Sequence, residues 1–272
     1  MAEELNLHAK LSKWLNTNGY PLEMLVASIA RKHTKLSIRQ GWHFIDSESG
    51  DSREIDIVCS AGDPYGYAEI NFVIECKATN KPWVIFSSED AIDSYHRLSS
   101  FGLFSKEAFD SVLDQVFPRS LDIPEEYIDS SLIPWLNKKG MVGYSIAQAF
   151  EGNKDIPYNA SIATIKASTW LINNSLWRSY GESRPFAISF PIIVTSSPLF
   201  ECTLDDDGKT ILNEISHGYL FFKQYIKDSS PTCISVVTEG YIETFMKECQ
   251  LVADYMLDAL SDAIQHHHKP PF

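Results

Sequence analysis

Two carboxylates and a lysine occupy strand-like positions in residues 52–79, SREIDIVCSAGDPYGYAEINFVIECKAT. Asp56 lies in the first strand-like run, and Glu75 and Lys77 lie near the end of the second. If the two runs pair as a hairpin, these three side chains converge. Neighbouring carboxylates repel each other and raise at least one pKa unless a cation compensates their charge. The spacing therefore favours a site for a divalent cation.

Magnesium fits this donor set, because it prefers hard oxygen ligands and completes its shell with water, a carbonyl and substrate phosphate. A lysine two residues after Glu75 adds a positive charge beside the metal. There Lys77 would orient or help to deprotonate the attacking water and offset the charge that develops on phosphate. These roles together are those of phosphodiester hydrolysis.

A half-exposed hairpin explains the same residues without catalysis. In that case Glu75 and Lys77 form a surface ion pair worth roughly 0 to 1 kcal/mol. The neighbouring residues argue against it, because positions 57–58 and 73–74 are apolar in succession, as in strands buried on both faces. Charged groups at the ends of buried strands need partners.

The spacing of apolar residues predicts the elements that position this pair. Helical spacing appears at residues 4–16, 21–33, 159–177 and 240–264, with short helical pieces around 89–117. Alternating or β-branched runs predict strands at residues 35–46, 53–61, 69–79, 185–197, 199–204, 211–223 and 233–238. Strict alternation also predicts that Ile55 and Ile57 share one face of their strand, opposite Asp56.

This order of elements predicts an α/β fold in which helices pack on a mixed sheet. The residues around the carboxylates resemble the PD-(D/E)xK nucleases of the restriction-endonuclease-like fold. In that family an aspartate starts one strand and a Glu-x-Lys or Asp-x-Lys ends the next, as Asp56 and Glu75-Cys76-Lys77 would here. The family's proline is absent, since Ile55 precedes Asp56. The family core of a helix, three strands, a helix and a further strand resembles residues 21–33, 36–78, 159–177 and 187–195.

The resemblance implies one nuclease-like domain over residues 1–272, with its core at 21–80 and 159–200. It leaves an insertion at about 81–157, after the third core strand, and C-terminal strands and a helix at 201–264. It further implies that Asp56 and Glu75 bind Mg²⁺, or Mn²⁺ in its place, with help from the backbone carbonyl of Cys76. Lys77 would position and activate the water.

Two further residues are candidates through the same resemblance. Relatives often add a glutamate from the first core helix to the metal site, and Glu23 is the matching residue. Glu23 is equally consistent with an acidic residue that is favoured in the first turn of a helix. Gln148 matches an accessory polar residue of some relatives, although a polar residue on a short helix is the simpler interpretation.

The net charge of −13 argues against broad nonspecific binding of nucleic acid, because like charges repel at long range. Residues 24–45 are the local exception, since they contain no acidic side chain and include Arg31, Lys32, Lys35 and Arg39. These four residues are candidates for phosphate contacts. They are equally consistent with the basic C-terminal end of a helix.

The five cysteines form no CxxC pair, so we expect free thiols. The sequence shows neither a secretory signal pattern nor a long apolar span, so we expect a cytoplasmic protein without a membrane partner. DNA is the expected partner; RNA, a partner protein or ATPase subunit, and a second copy of this chain stay open. The alternative function is a catalytically inactive nuclease-fold protein that binds DNA or a protein, within a multi-subunit antiviral defence system.

Overall fold

The computed structural model describes residues 2–15, 18–92, 100–116, 142–150, 155–174, 186–223 and 230–268. Its α-helices in these residues are α1 Ala2–Leu15, α2 Tyr20–His33, α3 Lys106–Val116, α4 Ile156–Asn173, α5 Ile242–Ala259 and α6 Ser261–His268. Its strands are β1 Ser37–Ile45, β2 Ser52–Gly62, β3 Ala68–Lys77, β4 Trp83–Ser88, β5 Leu103–Phe104, β6 Val142–Gln148, β7 Phe186–Thr195, β8 Leu199–Leu204, β9 Thr210–Ile215, β10 His217–Phe222 and β11 Thr232–Thr238.

These strands form one mixed sheet in the order β1-β2-β3-β7-β11-β10-β6-β4-β8-β9, and β5 pairs with β7 off this path. Strands β1, β2 and β3 follow each other antiparallel, whereas β3 pairs parallel with β7, and β7 with β11. Helices pack against this sheet, so the predicted α/β fold with a mixed sheet flanked by helices is confirmed.

Residues 81–157 contribute three strands that the sequence did not predict, namely β4, the short β5 and β6. Strand β4 pairs antiparallel with β6 and parallel with β8, and β6 also pairs parallel with β10. The described part of this segment therefore extends the main sheet. Its residues 93–99, 117–141 and 151–154, like the predicted helix end at 175–177, lie outside the described residues.

The two faces of the sheet carry separate apolar clusters near the predicted site. On one face, Val26 and Ala30 of α2 pack with Ile57 of β2 and with β3 side chains. On the other, Ala167 and Leu171 of α4 pack with residues that include Ile55. Helix α4 is further fixed to the sheet by the Thr164 hydroxyl, which donates a hydrogen bond of 3.1 Å to the Val73 carbonyl.

The prediction that Ile55 and Ile57 share a face is wrong, since they belong to the two different clusters. The cause lies at the residue between them. The β1–β2 ladder pairs Gln40 with Ile57 and Trp42 with Ile55, but it leaves out Gly41 and Asp56. Gly41 has a φ of +61°, a left-handed conformation that glycine adopts at little cost. The side-chain alternation therefore changes at the position where this pairing is interrupted.

Candidate functional site

Asp56 lies where β2 and β3 separate. Their ladder runs from Gly62 and Glu69 to Ile57 and Ile74 and ends there. One step further, the backbone N–H of Cys76 donates a hydrogen bond of 2.7 Å to Asp56 Oδ2. The Asp56 carboxylate thus serves as an acceptor where the backbone ladder has stopped.

Strand β3 keeps its other neighbour beyond this point. Its parallel pairing with β7 continues to Lys77, which lies opposite Thr195. The backbone of Glu75, Cys76 and Lys77 is therefore held on one side and open on the other. This arrangement presents the end of β3 toward Asp56 on a rigid strand.

Glu75 and Lys77 form an ion pair in which Lys77 Nζ lies 2.5 Å from Glu75 Oε1. The Glu75 side chain is 12% exposed and that of Lys77 is 31% exposed. Both side chains are less exposed than expected for the surface ion pair of a half-exposed hairpin. A partly buried pair interacts more strongly, because water screens it less.

Burial raises the pKa of Glu75 to about 7, and the negative charge of Asp56 adds to the shift although Lys77 opposes it. The pKa of Asp56 is also raised, first by burial and then by Glu54, against the hydrogen bond from Cys76 and the charge of Lys77. One lysine therefore does not compensate these two acids. A further cation would favour the ionised form of both acids.

Lys77 stays protonated in this environment. Burial acts to lower its pKa, but the charge and hydrogen bond of Glu75 and the charge of Asp56 outweigh it, so the pKa is raised. A protonated lysine donates hydrogen bonds and stabilises negative charge, and it does not accept a proton. The arrangement favours an orienting and electrostatic role for Lys77 over that of a general base.

Glu23 and Glu54 lie in the electric field of the same group. Burial raises the pKa of Glu23, and the charges of Asp56 and Glu54 raise it further. Glu54 lies on β2, two residues before Asp56. Its Oε1 lies near Gly41, where an added Cβ would come within 3.2 Å. We call Glu23, Glu54, Asp56, Glu75 and Lys77 the β2–β3 cluster.

The donors of the β2–β3 cluster are carboxylate oxygens, the type that Mg²⁺ prefers. In the described part of the chain, no group of three or more His, Cys, Asp and Glu residues is arranged to hold a metal by itself. Magnesium is usually bound by one or two carboxylates and completes its shell with water and substrate phosphate. Asp56 and Glu75 fit that pattern, and their uncompensated charge favours it.

Gln148 ends strand β6, so its interpretation as a residue of a short helix is wrong. Its Nε2 donates a hydrogen bond of 3.3 Å to Thr79 Oγ1, two residues after Lys77. The Ser197 hydroxyl donates a hydrogen bond of 2.8 Å to the Thr79 carbonyl. Gln148 thus contacts the segment that follows the lysine, a position that no local sequence pattern indicates.

An open cavity of about 750 Å³ lies at the carboxyl ends of β7 and β11. Leu25 of α2, Ser196 and Thr238 are among its lining residues. The backbone N–H of Ser196 donates to the Lys77 carbonyl at 3.3 Å, so this cavity adjoins the end of β3. No residue of the β2–β3 cluster lines it, so the cavity offers space near the end of β3 but is separate from the cluster.

The four basic candidates lie at the end of α2 and in the strand that follows. Arg31, Lys32 and Lys35 are exposed, and Arg39 is half-buried. The Arg31 guanidinium donates to Gln40 Oε1 at 2.8 Å, and that of Arg39 lies 5.3 Å from the Trp42 ring centroid. Glu23 and Arg31 are eight positions apart on α2, about 12 Å along the helix.

Comparisons of this chain with protein-family models, with curated proteins and with solved structures found no match. Among the described residues, no helix combines the length and the apolar character needed to cross a membrane.

Proposed function

We propose that this chain is a metal-dependent nuclease that hydrolyses phosphodiester bonds of DNA. The observation that carries the proposal is the pair of partly buried carboxylates, Asp56 and Glu75, whose pKa values are raised although Lys77 lies beside them. The resemblance to PD-(D/E)xK nucleases agrees with it. Further support comes from the order of α2, β1, β2, β3, α4 and β7, with β7 parallel to β3.

Each residue has a defined task in this proposal. Asp56 and Glu75 would hold Mg²⁺, or Mn²⁺, together with the backbone carbonyl of Cys76 and with Glu23 as a further candidate. When bound, the metal would polarise the phosphate and lower the pKa of a bound water. Lys77 would orient the attacking water by donating hydrogen bonds and would offset negative charge on the phosphorane-like transition state.

The Cys76 N–H keeps Asp56 in place for this task. Because this hydrogen bond favours the ionised carboxylate, it opposes the rise in pKa that burial imposes on Asp56. Attack would proceed in line on phosphorus. As the family resemblance implies, the products would carry a 5′-phosphate and a 3′-hydroxyl.

Arg31, Lys32, Lys35 and Arg39 are the proposed contacts for phosphates away from the cleaved bond. Gln148 is proposed as an accessory residue, because it holds the segment after Lys77 through Thr79. Each cationic contact of this kind makes DNA binding weaken with rising salt.

A cleavage assay tests the proposal. Supercoiled plasmid, linear duplex DNA and single-stranded RNA are incubated with the protein in Mg²⁺ and in excess chelator. We expect Mg²⁺-dependent cleavage of DNA that Asp56→Ala abolishes, while Asp207→Ala in the exposed β8–β9 turn cleaves normally. Cleavage of RNA alone would redirect the substrate assignment. Cleavage that persists in Asp56→Ala would end the proposal.

A second candidate function is that of a nuclease-fold protein that binds DNA or a partner protein without cutting. It is favoured by apolar side chains that are exposed on α1 and α2: Leu7, Leu11, Trp14, Leu15, Tyr20 and Met24. Exposed apolar groups of this kind mark protein contacts. Magnesium separates the two candidates, because an inert protein shows no Mg²⁺-dependent rise in melting temperature.

A further inference from the structure

A second group of charges surrounds a cavity on the α4 side of the sheet. Asp46 follows β1, and its side chain is 1% exposed. Arg53 Nε and Lys166 Nζ lie 2.5 and 2.9 Å from Asp46 Oδ2, and Lys166 Nζ lies 2.5 Å from Glu48 Oε2. We call Asp46, Glu48, Arg53 and Lys166 the Asp46 cluster. It contains two acids and two bases, so its formal charge is zero.

The cavity beside the Asp46 cluster has a volume of about 470 Å³. Sites that bind small molecules generally have volumes of roughly 300 to 1,000 Å³. One wall is aromatic, since Phe44 and Trp170 both line it and their ring centroids are 6.0 Å apart. Such a wall favours a flat, unsaturated ligand that stacks.

The C-terminal end of α4, next to Trp170, offers acceptors to the same cavity. Asn173 and Asn174 line it, and their Nδ2 groups donate to the carbonyls of Thr169 and Trp170 at 3.0 and 2.9 Å. With the amide nitrogens used in this way, the Oδ1 atoms are left to accept from a ligand. These residues end α4, where the helix dipole is negative and favours donors as well.

Thr169 supplies an independent indication of a ligand. It lines the cavity and is 6% exposed, and its buried hydroxyl oxygen has no hydrogen-bond partner among the described residues. Buried hydroxyls are nearly always hydrogen-bonded, to protein, water or ligand. A group that enters the cavity can satisfy this one after a rotation about χ1.

Charge selects between the flat ligands that would fit. A cationic ring is not favoured, because Arg53 and Lys166 already compensate Asp46 and Glu48. An anion is not favoured for the same reason. A neutral heterocycle with N–H donors matches the aromatic wall and the amide oxygens.

We propose that this cavity binds a nucleobase that carries an exocyclic amino group, such as adenine or cytosine. The amino group donates to Asn173 or Asn174, and the ring stacks on Trp170. The base belongs either to a free nucleoside or to a single strand. The second source has a geometric basis, since Phe44 of the cavity pairs with Arg53, which precedes Asp56 by three positions on β2, about 10 Å along a strand.

The test measures binding in excess chelator, so it does not depend on cleavage. Adenosine, cytidine, uridine and thymidine are titrated by calorimetry, followed by the single strands dA8 and dT8. We expect adenosine and cytidine to bind at least tenfold more tightly than uridine and thymidine. If dA8 binds tightly and in preference to dT8, the base belongs to a single strand. If adenosine binds tightly and dA8 does not, the base belongs to a free nucleoside.

Variants at the cavity make the test specific. Asn173→Leu should weaken the binding of adenosine at least tenfold. Trp170→Leu should weaken the binding of all four nucleosides, since it removes the stacking surface. Asn213→Leu on the exposed strand β9 is the matched control and should bind normally. Because Asn173 is exposed, its variant is expected to fold even if Trp170→Leu does not. The proposal fails if no base binds at millimolar concentration, if uridine binds as tightly as adenosine, or if Asn173→Leu binds like Asn213→Leu.

Discussion

Two charged clusters each include residues of β2, Arg53 in one and Glu54 and Asp56 in the other, and their acids respond in opposite ways. In the Asp46 cluster, burial acts to raise the pKa of Asp46, but hydrogen bonds from Lys166 and from the Glu48 N–H hold it at about 2. In the β2–β3 cluster, burial raises the pKa of Glu75 to about 7 despite Lys77. One group contains a matched cation for each acid, and the other does not.

The difference is the one expected between a stabilising ion-pair network and the group that we propose as the catalytic site. Matched ions lower the free energy of the folded state whenever the acids are ionised. Unmatched acids at the end of a strand raise the free energy of the folded state, and acids with pKa values perturbed in this way are typical of functional sites. In our proposal, the β2–β3 cluster therefore gains stability from an additional cation, whereas the Asp46 cluster does not.

The largest expected effect is that of Lys77→Ala on the rate of DNA cleavage. Loss of its positive charge should lower the rate of DNA cleavage about 10³-fold, which raises the activation barrier by about 4 kcal/mol. This factor lies within the range measured for side chains that transfer a proton or orient a reacting group. Single-turnover rates at saturating Mg²⁺ measure it. Lys209→Ala, in the exposed turn before β9, is the control and should keep the full rate. Equal rates in the two variants would remove Lys77 from the proposed site.

Much of the site's surroundings could be predicted because local patterns determine them. Helix α2 and strands β1, β2 and β3 have apolar periodicity over nine or more residues, and their order follows the chain. Strands β4 and β6 were missed because their partners β8 and β10 are distant in sequence. In β6, exposed Tyr144 and Ser145 interrupt the alternation that marks a strand.

The predicted strand at 211–223 is two strands for a similar reason. It breaks at Ser216, where β9 ends its pairing with β8 and β10 begins its pairing with β11. The Asp46 cluster could not be predicted either, because Lys166 meets Asp46 across 120 positions of sequence. The type and spacing of Asp56 marked it as a candidate. Its role as the acceptor for the Cys76 N–H could not be predicted, because it depends on where the pairing of β2 with β3 ends.

The next effect in size is the response of stability to Mg²⁺. At a Mg²⁺ concentration of about 100 times Kd, binding to the folded state adds about 2.7 kcal/mol. The wild-type protein and Asp46→Asn should both gain this stability, whereas Glu75→Gln should lose most of the gain. Thermal unfolding with and without chelator measures it. An equal gain in Glu75→Gln would place the metal elsewhere.

A smaller effect is expected from Asp46→Asn at neutral pH. The folded-state pKa of about 2 lies below the ordinary 3.8, so the ionised carboxylate stabilises the fold at every pH above 3.8, and this contribution is lost as pH falls toward 2. Asp46→Asn should therefore lower the free energy of unfolding by about 2 kcal/mol at pH 7. Denaturant titrations at pH 7 and pH 3 measure it. The loss should shrink at pH 3, and a pH-independent loss would contradict the account.

The smallest effect has the opposite sign and appears in Glu75→Gln without metal. The folded-state pKa of about 7 lies above the ordinary 4.5, so the stability of the metal-free protein should fall as pH rises from 4.5 through 7. Glu75→Gln should reduce this fall and be the more stable protein at pH 8, by about 1 kcal/mol, because loss of the ion pair with Lys77 offsets most of the roughly 3 kcal/mol that the pKa shift represents. Denaturant titrations in chelator across this range test it. A wild-type protein that gains stability over the same range would show that the acids are compensated.

The most direct test of the β2–β3 cluster as a metal-dependent catalytic site is the chemistry of its products. Purified protein is incubated with end-labelled duplex DNA in Mg²⁺, and the ends of the fragments are identified by phosphatase treatment and religation. We predict fragments with 5′-phosphate and 3′-hydroxyl ends, formed by the wild type and absent with Asp56→Ala or chelator. Intact DNA under all Mg²⁺ conditions, or the same fragments from Asp56→Ala, would contradict the account.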